Sequence, residues 1–311
     1  MTPRRPDPPR LRDVLRGLTT ELEAAGVDSP RPEAERLLAH VLGAERSGLA
    51  LRSDEPLPDE AAAELARLIA RRTAGEPLQH LEGTVAFREL VLRADARALI
   101  PRPETEQLVD LVARGLREQA GDGVRVVARP GAPRRPPAAR LALDIGTGSG
   151  AIALSLIAEG LAERVVALDL SPPALEQARE NLDLSGVDPS RLDLRPTGQD
   201  PFAALEPGER FDLVVSNPPY VSTAELANLP AEVRREPGEA LAGGRDGLDV
   251  IRLIVRRGPE FMVPGAGLFL EIAATQGQVV TGLLEAADTW RAVRCHPDHS
   301  GRDRFATARR K

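Results

Sequence analysis

The sequence predicts an α/β protein built on a seven-stranded, mainly parallel sheet with helices on both faces, preceded by a small helical bundle and a connecting β-hairpin. Three observations predict it. From Arg140 onward, apolar runs of strand length alternate with helical stretches, the order that produces parallel strands joined by crossover helices. The first run, Leu141-Ala142-Leu143-Asp144-Ile145, opens into the glycine-rich turn Gly146-Thr147-Gly148-Ser149-Gly150. Before residue 75, by contrast, apolar residues recur at helical spacing.

Taken in order, the chain begins with a proline- and arginine-rich segment, Met1 to Arg10, with no apolar run behind it, which excludes an ordinary signal peptide. Val14, Leu15, Leu18 and Leu22 mark a first helix from Leu11 that stops near Gly26. A second is expected from Pro32, with Leu37, Leu38 and Val41 on one face, and a third over 60–72 around Leu65, Leu68 and Ile69. These make a helical bundle over 1–75, suited to packing or to docking a partner. Gly75-Glu76-Pro77 ends it. Over 76–100 the pattern turns to alternation at Leu90, Leu92 and Ala94, which predicts a β-hairpin connector. The remaining domain, 101–311, opens with Ile100-Pro101-Arg102-Pro103-Glu104-Thr105-Glu106, where Pro103 and the acids after it read as a helix start. Residues 120–139 read as a flexible insertion. Strands are predicted at 141–145, 164–169, 192–196, 211–216, 266–272, 290–295 and 304–308.

Composition narrows the function. The net charge is −6 and there is no basic tract, a poor basis for holding nucleic acid through its phosphates. No stretch is long and apolar enough to span a membrane. One cysteine, Cys295, excludes an intrachain disulfide, and four scattered histidines leave no zinc cluster. A cytoplasmic monomer is expected, with no direct nucleic-acid or membrane partner.

In a parallel sheet of this kind the ligand lies at the carboxyl ends of the strands. The glycines of 146–150 permit a tight turn and close backbone approach. Their G-x-G-x-G spacing differs from the dinucleotide fingerprint, and no lysine follows to make a phosphate loop. The next strand ends at Asp169, 19 residues after Gly150, where a carboxylate can accept both hydroxyls of a ribose. Asp144 is placed to orient the loop or a ligand's amino group. Gly146, Thr147, Gly148, Ser149, Gly150 and Asp169 together resemble the S-adenosylmethionine site of class I methyltransferases.

After the strand Phe211-Asp212-Leu213-Val214-Val215 comes Ser216-Asn217-Pro218-Pro219-Tyr220. Pro218 and Pro219 lack a backbone N–H and hold the residues before them extended, so the Asn217 and Pro218 carbonyls find no helical partner. With the Asn217 side-chain oxygen they form a rigid set of acceptors suited to an NH2 group. A plain strand-to-loop turn would use the same prolines. The loop resembles that of amino-methyltransferases, which divide into enzymes of adenine N6 in nucleic acid and enzymes of the glutamine amide in proteins.

The segment 100–106 decides for the second. It resembles the corresponding stretch of the release-factor glutamine methyltransferase family (PrmC/HemK). Gly75-Glu76-Pro77-Leu78-Gln79, Glu236-Pro237, Ala240-Leu241 with Gly243-Gly244, Asp246 to Asp249, Glu271-Ile272, Gln276-Gly277, Asp298 and Gly301 to Arg304 follow the family's pattern in order. Pro201, Arg235 and Ala273 depart from it; Pro201 stands where an aromatic often flanks the adenine. The resemblance implies methyl transfer from S-adenosylmethionine to the glutamine of the Gly-Gly-Gln motif in class 1 peptide chain release factors. It implies that Asn217, Pro218 and Tyr220 are catalytic, that Pro219 stiffens the loop, and that Asn217 also borders the cofactor. An adenine-N6 methyltransferase, a nonenzymatic S-adenosylmethionine-binding adaptor and an NAD-dependent oxidoreductase are the alternatives. The long connection from Ser222 to Leu248 is expected to help hold the protein substrate.

Overall fold

The computed structural model describes residues 8–119 and 139–311. The insertion expected over 120–139 therefore lies, apart from its last residue, outside the described residues, as does most of the segment before Arg10. The chain divides into two compact units, residues 1–83 with 231–235, and residues 84–230 with 236–311.

The first unit is helical. Helices α1 (Leu11–Ala24), α2 (Pro30–Val41), α3 (Asp59–Thr73) and α4 (Leu78–Glu82) pack around one apolar cluster that includes Leu22, Leu37, Leu38, Leu65 and Leu68. These are the residues whose spacing predicts the helices. Arg72 is buried, and its guanidinium donates to Glu33 Oε1 at 3.1 Å and Glu232 Oε2 at 3.0 Å. That ion pair and the Arg235 guanidinium, which donates to the Ala74 carbonyl at 2.9 Å, join the short 231–235 stretch to this unit.

The second unit carries a two-stranded hairpin, β1 (Thr84–Phe87) and β2 (Leu90–Arg93), then α5 (Pro103–Gln119) and a seven-stranded sheet. The hairpin is shorter than alternation suggests. Residues 78–82 of the expected connector form α4 instead, with Leu78 and Leu81 buried in the helical unit. The sheet strands are β3 (Ala139–Ile145), β4 (Ala162–Asp169), β5 (Leu192–Pro196), β6 (Phe211–Ser216), β7 (Met262–Glu271), β8 (Trp290–Pro297) and β9 (Asp303–Arg310). Their spatial order is β5-β4-β3-β6-β7-β9-β8, with β9 alone running opposite to the other six. All seven predicted strands are present, with ends shifted by four residues at most: Ile272 falls outside β7, which starts earlier, at Met262.

Successive residues of the central strands are buried on opposite faces. Ala142, Val165, Ala167, Leu213 and Val215 join one core, with α5 and α6 (Ala151–Ala158). Leu143, Ile145, Val166, Leu168 and Val214 join the other. Burial on both faces is why these strands read as unbroken apolar runs. The remaining helices are α7 (Pro172–Ser185), α8 (Thr223–Leu226), α9 (Gly238–Leu241), α10 (Asp249–Arg257) and α11 (Gly277–Ala286). Two of them lie within 222–248, so that long connection carries helical turns of its own.

Strand order reverses between β3 and β6, which pair in parallel with Ile145 opposite Ser216. Ser216 Oγ donates to the Ile145 carbonyl at 2.6 Å and ties the two strand ends together. The two loops singled out in the sequence thus leave the sheet side by side at its switch point.

Asn181 of α7 is fully buried and links hairpin to glycine loop. It accepts from Arg93 N–H at 2.6 Å and donates to the Ser149 carbonyl at 2.9 Å. Asn181→Leu strands both backbone groups, and the loss expected is about 2–3 kcal/mol of unfolding free energy. Urea unfolding followed by the fluorescence of Trp290, the single tryptophan, measures it.

Candidate active site

Gly146, Gly148 and Gly150 all have positive φ, 74°, 56° and 82°, so the loop after β3 curls in a way that other residues resist. At Gly150 space is also short: a Cβ would lie 3.3 Å from the Ala178 side chain. Gly146 N–H and Thr147 N–H both donate to the Leu168 carbonyl, at 2.8 and 2.9 Å, fastening the loop to the end of β4.

The two acids predicted for this loop take different tasks. Asp144 is fully buried beneath it, and its Oδ2 accepts the Thr147 hydroxyl at 2.7 Å. It orients the loop. Its Oδ1 has no partner among the described residues. Burial pushes Asp144 up to about 7, against the pull of the Thr147 hydroxyl. Asp169 accepts from Gly148 N–H at 2.7 Å and Ser171 N–H at 2.8 Å, one on each carboxylate oxygen. Each oxygen keeps a second lone pair for a ligand. Burial raises this group as well, and Glu239 adds to the rise.

A cavity runs from the glycine loop past Asp169 to the loop after β6; Asn217, Pro218, Pro219 and Glu239 border it, as does Pro201. Arg97 also lines it, but Asp95 and Glu180 hold that guanidinium in a fork, at 2.8 Å each from Nη2. With Asp169 and Glu239 exposed to the cavity and its arginine neutralised, the lining is acidic. That favours a cationic ligand over a pyrophosphate.

In the loop after β6, no hydrogen bond among the described residues reaches Asn217 Oδ1 or the carbonyls of Asn217 and Pro218. Asn217 Nδ2, by contrast, donates to Thr105 Oγ1 at 3.1 Å. Tyr220 Oη lies 3.4 Å from Glu271 Oε1, and burial together with that carboxylate pushes the phenol up to about 12. Behind the loop, two glycines make room. A Cβ on Gly243 would stand 2.5 Å from the Pro219 carbonyl oxygen, and one on Gly247 would stand 2.2 Å from that of Tyr220. Gln276 Nε2 donates at 3.2 Å to the carbonyls of both Tyr220 and Gly247. The Tyr220 carbonyl is thereby engaged, and those of Asn217 and Pro218 are left open.

Of the residues expected from the sequence, Gly146 to Ser149, Asp169 and Asn217 to Pro219 line this cavity and Asp144 holds the glycine loop through Thr147, whereas Gly150 and Tyr220 do not line it. Sequence reasoning misses Thr105, Glu271 and Glu239 as members of the site. Glu236 also escapes it: buried, it accepts Ile100 N–H at 2.9 Å and pairs with Arg102, holding the segment that leads to Thr105. Nothing in local pattern signals these pairings.

Residues 13–83 match the PrmC N-terminal domain, and residues 133–243 match the methyltransferase small domain. The release factor glutamine methyltransferase of Deinococcus radiodurans is 42% identical over 97% of this chain and 99% of its own length. The chain belongs to the release factor glutamine methyltransferase family. Relatives of the same name from Cereibacter sphaeroides, 42% identical over 96% of this chain and 98% of theirs, and Moorella thermoacetica, 40% identical over 97% and 99%, agree. Among solved structures, the hMettl16 catalytic domain in complex with a MAT2A 3'UTR hairpin has the same fold, with a TM-score of 0.53 at 13% identity over 81% of this chain and 82% of that one. This member of the release factor glutamine methyltransferase family is thus a class I, Rossmann-like methyltransferase. Family and fold imply S-adenosylmethionine as the methyl donor. No helix among the described residues is long and apolar enough to cross a membrane.

Two predictions follow from this geometry. Gly247→Ala forces a Cβ into the Tyr220 carbonyl at a positive φ of 77°, so methyl transfer should fall at least tenfold with the sheet intact by circular dichroism. The second concerns pH. An acid raised from 3.8 to about 7 is protonated more readily in the folded chain, so its presence lowers stability as pH climbs through that interval. Asp144→Asn removes this loss. Its unfolding free energy should gain on the parent by an amount on the order of a few kcal/mol between about pH 4 and pH 8, read from urea titrations.

Proposed function

We propose that the chain transfers the methyl group of S-adenosylmethionine to the side-chain amide nitrogen, N5, of the glutamine in the Gly-Gly-Gln motif of class 1 peptide chain release factors. The observation that carries this reading is the pair of acceptors without donors, Asn217 Oδ1 and the Pro218 carbonyl, on residues that line an acidic cavity. An NH2 group has two hydrogens to place and both acceptors suit them. The names of the relatives supply the protein substrate.

The donor site fits S-adenosylmethionine. The loop at 146–150 offers backbone that a nucleoside can approach closely, Asp169 keeps lone pairs for ribose hydroxyls, and Asp169 with Glu239 suits a cation. When bound, S-adenosylmethionine supplies an electrophilic methyl group on a sulfonium. The chain's own residues do the rest. An amide nitrogen is a weak nucleophile because its lone pair is delocalised into the carbonyl. Asn217 Oδ1 and the Pro218 carbonyl, by accepting one hydrogen each, hold that nitrogen in a fixed orientation and favour the positive charge it gains on alkylation. The alkylated nitrogen is acidic enough to release its proton to water, so no side-chain base is needed. Pro219 keeps the loop stiff, and Tyr220 packs against the substrate amide. The helical unit and the 222–248 connection serve as docking surfaces for the release factor, and the enzyme acts as a cytoplasmic monomer without nucleic acid.

Incubation with labelled S-adenosylmethionine and purified release factor should label the factor, while a factor whose Gly-Gly-Gln glutamine is replaced should stay unlabelled. Label in DNA or RNA but not in the factor would overturn the reading. Asn217→Ala should reduce turnover at least a hundredfold with cofactor affinity retained. Asp169→Ala should chiefly weaken the cofactor, measured by calorimetry with S-adenosylhomocysteine, and unchanged affinity would contradict its ribose role.

A further inference from the structure

Asparagine is ambiguous at its tip. Its amide presents an acceptor or, after a half-turn of the side-chain torsion, a donor of nearly the same shape. A site meant to receive an NH2 group works in one orientation and fails in the other. Something must therefore choose the orientation of Asn217.

We propose that Thr105 and Glu271 are positioning residues that fix the Asn217 amide with its oxygen toward the cavity. This deepens the reading of the site as an amide clamp and rests on it. A chain of hydrogen bonds with a defined direction fixes the amide. Glu271 ends β7, next to β6, and is fully buried. Its Oε2 accepts the Thr105 hydroxyl at 2.8 Å, and its Oε1 takes the Tyr220 hydroxyl at 3.4 Å. Two hydroxyls converging on one carboxyl suit its ionised form, which can only accept. Thr105, itself buried in the first turn of α5, has one proton, and Glu271 takes it. What Thr105 Oγ1 turns toward Asn217 is then a lone pair, so it accepts from Nδ2 at 3.1 Å.

A flipped Asn217 would set its oxygen against that lone pair with no proton between them. It would also point an N–H at the substrate NH2 group. Both faults oppose the flip, and a hydroxyl held by a buried carboxylate resists reorientation better than one facing water. Burial pushes Glu271 up to about 7, while the Thr105 hydroxyl and Arg304 draw it down and Glu104 raises it. A buried carboxyl with no contact to the cavity has a clear reason to be in this site if it sets the polarity of the chain.

The test compares Thr105→Val, which keeps shape and removes the acceptor, with Thr105→Ser, which keeps the hydroxyl. Thr105→Val should lose about 10- to 100-fold in kcat with the KM values for release factor and S-adenosylmethionine within about threefold of the parent. Thr105→Ser should recover most of that rate. A second readout asks which polarity the clamp presents. The parent should bind a release factor carrying glutamate in place of the target glutamine more weakly than the glutamine form, because its acceptors repel a carboxylate. In Thr105→Val that preference should narrow several-fold, since Asn217 is free to turn its N–H outward. Equal kcat in Thr105→Val and the parent, an unchanged preference, or a Thr105→Ser loss as large as that of Thr105→Val would each overturn the proposal. Should Thr105→Val fail to fold, the same preference in Glu271→Gln decides, because an amide there can donate to Thr105 and release the lock: narrowing supports the proposal and an unchanged preference overturns it. A parent enzyme that leaves the glutamine unmethylated would instead defeat the amide-clamp reading itself.

Discussion

The pairing of β3 with β6, Ile145 opposite Ser216, constrains everything else in the catalytic unit. Because these strands are parallel neighbours at the point where sheet order reverses, the loops leaving their carboxyl ends must face a common cleft. One loop is rich in glycine and stands over an acid. The other is rich in proline and short of donors. A methyl donor and an amino acceptor need those two environments side by side, and the sheet supplies the adjacency before any side chain is considered.

Much of this was legible in the sequence because it is encoded locally. The doubly buried strands appear as apolar runs, the helices of the first unit appear through the spacing of Leu18, Leu22, Leu37 and Leu65, and the missing N–H groups of Pro218 and Pro219 follow from covalent structure. The acceptor character of the 217–218 backbone needs no tertiary information. The helical turn at 78–82 was less visible. Five residues are too few for periodicity to show, and only their burial against the helical unit makes them helical.

What the sequence hid are relations between residues far apart along the chain. Thr105 and Glu271 are 166 residues apart, and Ile100 and Glu236 are 136 apart. Each looks ordinary in its own neighbourhood: a threonine in a helix start, an acid at a strand end. The glycines at 243 and 247 read locally as turn formers. Their role is instead spatial, since the backbone of 219–220 passes where a side chain would stand. Resemblance to a family marked these positions without giving a physical reason for them, and the packing supplies that reason.

The amide clamp has a purpose only if a glutamine side-chain amide is the group methylated. Tandem mass spectrometry of a release factor incubated with the enzyme and S-adenosylmethionine tests this most directly, by locating the added methyl group within the Gly-Gly-Gln peptide. A single methyl on the glutamine side chain is expected, reduced at least about a hundredfold when Asn217→Ala replaces the parent enzyme. A methyl group on any other residue, or an unmodified factor alongside a methylated nucleic acid in the same reaction, would contradict it.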